Sequence, residues 1–115
     1  MKRISLNFSI AFAAFVMWST ALAADLSPSV VLSNANQYDG KQITVSGVVS
    51  DFGNKVSHSG NTYETFKLCD ESACLDVFAW GNAPRPEGSR ISGTGHFYKV
   101  KRVGRYVFYN ELDLD

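Results

Sequence analysis

Cys69 and Cys74 flank an acidic four-residue turn, Asp70-Glu71-Ser72-Ala73, inside the run KLCDESACLDVFAW. Two thiols at this spacing could chelate a metal, exchange electrons or form a structural bridge. Zinc needs two further Cys or His ligands, and the two histidines, His58 and His96, lack metal-ligand spacing. A redox pair favours C-x-x-C beside a helix, which is absent. The flanking residues favour a bridge. With a four-residue loop Cys69 lies opposite Cys74, and the same register sets Leu68 against Leu75, Phe66 against Val77 and Glu64 against Ala79. That side is largely apolar and faces a core, with Glu64 at an open barrel mouth. The other side pairs Lys67 with Asp76, Thr65 with Phe78 and Tyr63 with Trp80, all good cross-strand partners. A slip of one residue would bury Lys67 and Asp76 and expose Leu68 and Val77. Directly opposed strand residues sit about 4.5–5.5 Å apart at Cα, within disulfide reach. A structural disulfide is therefore expected, with free thiols as the other reading.

The outward side of that hairpin carries Tyr63, Thr65, Lys67, Phe78 and Trp80. Rings on a strand surface beside a cation can stack flat groups such as bases. The segment KVKRVGR reads as a basic loop. Its Lys99, Lys101, Arg102 and Arg105 are four of the nine basic residues that follow residue 23, a local patch able to contact phosphate. Each feature has a plainer reading: exposed rings can pack under a loop or the N-terminal helix, and a basic hairpin tip can be a solvated turn. Asp70, Glu71 and Asp76 cluster without a nucleophile or base beside them. No Ser-His-Asp set, phosphate-cradling glycine loop or metal box appears. Neither enzymatic activity nor a cofactor is expected.

The elements that would hold these residues are mostly strands. Ser27 can cap a short helix over Pro28–Gln37 with proline at its first position, although Asn34 and Asn36 weaken it. QITVSGVVS alternates as strand one, with Gly47 marking a bulge or sharp bend. After the polar loop Ser57–Asn61 come YETFKLC and CLDVFAW as strands two and three. GNAPRPEGSR holds two prolines and two glycines and leaves no room for a helix. RISGTGHFYKV, with Gly93 and Gly95 two apart, is strand four, and YVFYNELDL is strand five. Five strands and one short helix point to a small all-β barrel.

The N-terminus indicates export. Met1-Lys2-Arg3 is a basic start, Ile10–Trp18 is apolar, and Ala21-Leu22-Ala23 supplies a small-residue cleavage site. Residues 1–23 read as a secretory signal peptide, too short in its apolar run to span a bilayer. Residues 24–115 then form one domain in the periplasm or outside the cell, with no membrane insertion after cleavage. Without the two basic residues of the signal, nine Lys/Arg stand against eleven Asp/Glu, a net of −2. That excludes a globally basic nucleic-acid binder and restricts any polyanion site to a local patch.

Taken together, YDGKQITVSGVV, NTYETFKLCDESACLDVFAWG and EGSRISGTGHFYKVKRVGRYVFYNEL resemble the OB-fold nucleic-acid-binding domains of the tRNA-anticodon-binding type, particularly small stand-alone bacterial versions. The resemblance spans about Tyr38 to Leu112. It implies a five-stranded OB-fold Greek-key barrel that binds on strands two and three, between the loops joining strands one–two and four–five. It also implies single-stranded nucleic acid as the partner, held by Lys67, Phe78, Trp80, Lys99, Lys101, Arg102 and Arg105, to which the outward side of the hairpin adds Tyr63. The alternative is a periplasmic module that binds a small ligand or a cell-envelope protein.

Overall fold

The computed structural model describes residues 25–115, so the expected signal peptide at residues 1–23 lies outside them. Two short helices, α1 (Pro28–Ser33) and α2 (Ala35–Tyr38), precede five strands: β1 (Gln42–Val56), β2 (Thr62–Cys69), β3 (Cys74–Trp80), β4 (Arg90–Val103) and β5 (Tyr106–Leu114). The strands form one closed sheet in the order β1-β2-β3-β5-β4, with β4 returning to β1. Every pairing is antiparallel except β3 with β5.

The single helix expected over residues 28–37 is broken at Asn34. Its side-chain amide donates to the Val30 carbonyl at 2.9 Å, and its backbone leaves the helical region at φ −126°. Short polar side chains compete in this way for the carbonyls that a continuing helix would use. The start is as expected: Pro28 occupies the first turn and the Ser27 hydroxyl accepts from the Val30 amide. Asp70 adds a tie from the β2–β3 turn. One of its oxygens accepts from the Ser29 amide at 2.9 Å, and the other from the Ser72 and Ala73 amides at 2.8 Å each. These bonds, those from Ser29 foremost, hold the Asp70 carboxyl well below the usual carboxylate range. The same carboxylate thus shapes the turn beside the cysteines and pins α1 over it.

The core consists of Val45 and Val49 of β1, Phe66 and Leu68 of β2, Leu75 and Val77 of β3, Phe97 of β4 and Leu112 of β5, closed by Val31 of α1. Strand β1 pairs with β4 through Gln42–Val48 and with β2 through Val48–Val56. Gly47 sits at that change of partner without a bulge. A side chain there would come within 3.0 Å of the Cys69 carbonyl oxygen, so glycine serves close approach. The register shift lies further on, between Ser50 and Gly53. There Asp51 has φ 55°, and the Glu87 carboxylate accepts from the Asp51 and Phe52 amides.

The seam of the closed sheet is at Gly95, which pairs with Ile43 on one side and Leu114 on the other. A Cβ here would lie 2.0 Å from the Asp113 carbonyl oxygen, against backbone that has nowhere to retreat.

Glu64, expected at an open mouth, is fully buried. Arg85, from the proline-rich segment between β3 and β4, donates its Nε–H to Glu64 Oε1 at 2.7 Å and lays its guanidinium 5.2 Å from the centre of the Phe66 ring. The segment lacks a helix, as its prolines require, and is held by this ion pair and by Glu87.

Two stability measurements follow. Gly95→Ala should cost on the order of 3 kcal/mol through overpacking at the seam, whereas Gly53→Ala, with no atom within 4 Å of its Cβ, should change the denaturation midpoint little. Arg85→Ala, which strands a buried carboxylate, should cost about 3 kcal/mol or more; urea denaturation of the three variants against the parent reads these outcomes.

Candidate binding cleft

The β2–β3 hairpin pairs Cys69 with Cys74, Leu68 with Leu75 and Phe66 with Val77, and the two cysteines form a disulfide with an S–S distance of 2.04 Å. Inward side chains from Glu64 to Ala79 are buried as the alternation requires. Outward, Lys67 Nζ lies 2.7 Å from Asp76 Oδ1. Further along the same face, Tyr63 and Phe78 stack at 5.3 Å with 29° between their planes. Trp80 stands edge-on to both, at 5.8 Å from Tyr63 and 5.1 Å from Phe78, and remains 60 % exposed. Edge-to-face and offset contacts at these separations are favourable and hold the rings in place.

Parallel pairing of β5 with β3 sets Glu111 beside Asp76 and Asp113 beside Phe78. Two carboxylates therefore adjoin the rings. Lys101, reaching over from β4, places its Nζ 3.1 Å from Glu111 Oε2, 2.5 Å from Asp113 Oδ2 and 5.0 Å from the centre of the Phe78 ring. Burial is the main cause that pushes the Glu111 carboxyl up to about 7, reinforced by Asp113 and opposed by Lys101. Burial also works against the charge on Lys101, but its bonds to Asp113 and Glu111 outweigh that and keep its pKa above the ordinary lysine value. The remaining oxygen of Asp113, Oδ1, is buried without a hydrogen-bond partner among the described residues.

Two hairpin arms rise beside this face. One continues β1 and β2 to a tip at Ser57–Asn61, with Lys55 opposite Tyr63 and Val56 opposite Thr62. The other continues β4 and β5, pairing Lys101 with Phe108 and Val103 with Tyr106 across a turn at Gly104 and Arg105. Gly104 has φ 59°, and glycine at the first turn position suits a two-residue hairpin. Between the arms lies a cleft of about 650 Å³, floored by the three rings and the Lys101–carboxylate group, with Lys55 and His58 on one wall and Val103 and Phe108 on the other.

The residues singled out from the sequence divide. Tyr63, Phe78, Trp80 and Lys101 line the cleft together. Lys67 shares their sheet face but lies outside the cleft, paired with Asp76. Lys99 points elsewhere: its ammonium bonds to the Asn36 side chain and its amide to Asp39. Arg102 and Arg105 lie on the exposed arm and do not line the cleft; Arg105 covers the Tyr106 ring at 5.8 Å. The expected basic loop is thus mostly strand, because Val100 and Val103 extend the pairing of β4 and β5 and send successive cations in different directions. Glu111, Asp113, Lys55 and His58 were not anticipated in the site. Glu111 and Asp113, two apart on one strand, visibly share a face, but only the parallel pairing shows that the face adjoins Phe78.

Comparison of the chain with family models, curated proteins and solved structures returns no match.

The Glu111 carboxyl has a checkable effect on stability. With its folded-state pKa raised above the unfolded value, the folded protein keeps a proton that the unfolded chain gives up between pH 4.5 and 7, so this group lowers stability as pH rises through that window. Glu111→Gln removes the effect. Thermal melts of variant and parent should shift in the variant's favour between pH 4.5 and 7 and run parallel above it; a constant offset across the window would contradict the assignment.

Proposed function

We propose that the chain is a non-enzymatic binding protein of the OB type, acting in an exported, oxidising compartment, that grips its ligand across β2 and β3 between the two hairpin arms. The strand order β1-β2-β3-β5-β4 with a parallel β3–β5 pair supports an OB Greek-key barrel, and the cleft lies where such barrels take their ligands. The Cys69–Cys74 disulfide is compatible with an oxidising environment. The observation that carries the reading is the ring cluster at the floor of the cleft, in which exposed Trp80 stands against half-buried Tyr63 and Phe78. A ligand with flat or apolar groups, either a small molecule or a segment of an envelope protein, gains stacking and burial there.

Charge decides between ligand classes. Lys101 is already held by two carboxylates and Lys67 by Asp76. A phosphate about 5 Å from an ionised carboxylate would meet repulsion on the order of 3 kcal/mol at an effective dielectric of 20. Freeing Lys67 costs little, since exposed pairs contribute about 0–1 kcal/mol, but the half-buried Lys101 is bound more firmly. Single-stranded nucleic acid, the first expectation from the sequence, becomes the second reading, favoured by Lys55, which lines the cleft with the rings, and by Arg102 and Arg105 on the β4–β5 arm; none of the three makes an ion pair among the described residues.

A fluorescence titration of Trp80 with a decameric oligothymidylate, alongside NMR shifts induced by simple aromatic solutes, separates the two. We expect the solutes to move the Trp80 indole signal in a salt-insensitive way and Trp80→Ala to lose the neighbouring shifts at Tyr63 and Phe78. Saturable oligonucleotide binding that weakens about 100-fold between 50 and 500 mM salt, as three phosphate contacts would require, would establish the second reading instead.

A further inference from the structure

The Lys101 ammonium occupies a distinctive setting at the floor of the cleft. It is set against two carboxylates and the face of an aromatic ring, the arrangement by which proteins hold amines and guanidinium groups. Here the cation comes from the chain itself, on a flexible four-carbon stem anchored in a hairpin arm. Two carboxylates face one ammonium, and Asp113 keeps a buried oxygen without a partner among the described residues. Above the pH of about 7 to which the Glu111 carboxyl is raised, both carboxylates are ionised and one negative charge stays uncompensated at the floor. The other cation along the cleft, Lys55, is exposed on the opposite arm, where water and salt screen it. Beside the carboxylates the cleft offers apolar surface on both sides: Tyr63 and Trp80 from the hairpin, and Val103 and Phe108 from the β4–β5 arm.

We infer that the cleft binds an organic cation carried on an aromatic or apolar body, with the ligand's amine or guanidinium set against Glu111 and Asp113 and its body between Trp80 and Phe108. This rests on the reading of the cleft as a ligand site. Lys101 acts as an internal competitor: the ligand's charge displaces its ammonium toward solvent, which the length of its stem allows. The cluster is opposite in sign to a phosphate site, so the same geometry disfavours nucleic acid.

Four probes followed by the Trp80 indole signal test this on the oxidised protein. Phenethylamine is compared with neutral 2-phenylethanol, and an end-blocked Ala-Arg-Phe-Ala peptide with the same peptide carrying citrulline for arginine. Each charged probe should bind about tenfold tighter than its neutral counterpart. The ratio of peptide to phenethylamine affinity then tells whether the cation belongs to a protein segment or to a small amine. Asp113→Asn should weaken charged probes about tenfold while sparing neutral ones. Lys101→Met should tighten charged probes about tenfold, an increase that loss of folding cannot mimic. Equal binding of charged and neutral probes, or weaker cation binding in Lys101→Met, overturns the inference and leaves the cleft as a binding site. Silence of the Trp80 signal with all four probes overturns the cleft reading as well.

Discussion

Setting Leu68 across from Leu75 determines more of this molecule than any other contact. Because strand side chains alternate, that pairing sends Phe66, Val77 and Ala79 inward and Tyr63, Phe78 and Trp80 outward. A shift by one residue would exchange the two sets. The sulfurs of Cys69 and Cys74 meet only in this register, so the bridge secures an alignment that apolar burial already selects. Asp70, inside the bridged turn, carries the constraint to α1 through the Ser29 amide. Hairpin, staple and helix cap are consequences of one alignment.

Closure of the sheet adds what the hairpin alone lacks. Parallel pairing of β3 with β5 brings a second strand's outward side chains beside the rings, and these are carboxylates. It depends on Gly95, since any side chain there would collide with the Asp113 backbone. The glycine that lets the barrel shut thus adjoins a carboxylate residue of the cleft floor. The two hairpin arms extend the outer strands past the closed region and turn a sheet face into a cleft. Fold and site share their critical residues.

Local pattern made the hairpin legible. Residues 63–80 alternate cleanly, their partners are fewer than twenty positions apart, and the register, the disulfide and the exposed rings could all be read from them. The five strands and the helix-free proline segment were legible for similar reasons. What the sequence concealed was non-local or required a choice between competing signals. In KVKRVGR the cations suggested a loop, while the two valines and the single glycine specify strand, strand and turn. Lys99 and Lys101 therefore end up in different surroundings. Glu64 looked like a residue at an open end because its partner, Arg85, lies 21 positions away in a segment with no periodicity. The carboxylates of β5 share a face by simple alternation, but nothing local says that the face abuts Phe78.

The arrangement at the cleft floor is not what stability alone would select. A carboxyl is held in surroundings that oppose its ionisation, beside a second carboxylate with an unpartnered oxygen, where apolar side chains of similar size would cost the fold less. Trp80 and Phe108 remain exposed on surfaces that could have been polar. Elsewhere local rules mostly agree with one another: Ser27 caps α1, the inward face of the hairpin is apolar apart from Glu64, and Arg85 pairs with one oxygen of Glu64 while the other is buried without a partner among the described residues. Departures from such agreement concentrate where a protein meets something other than itself. In this chain several of them gather between the two arms. A lysine of the protein partly offsets the charge there, and it does so with the chemistry that an incoming cation would use.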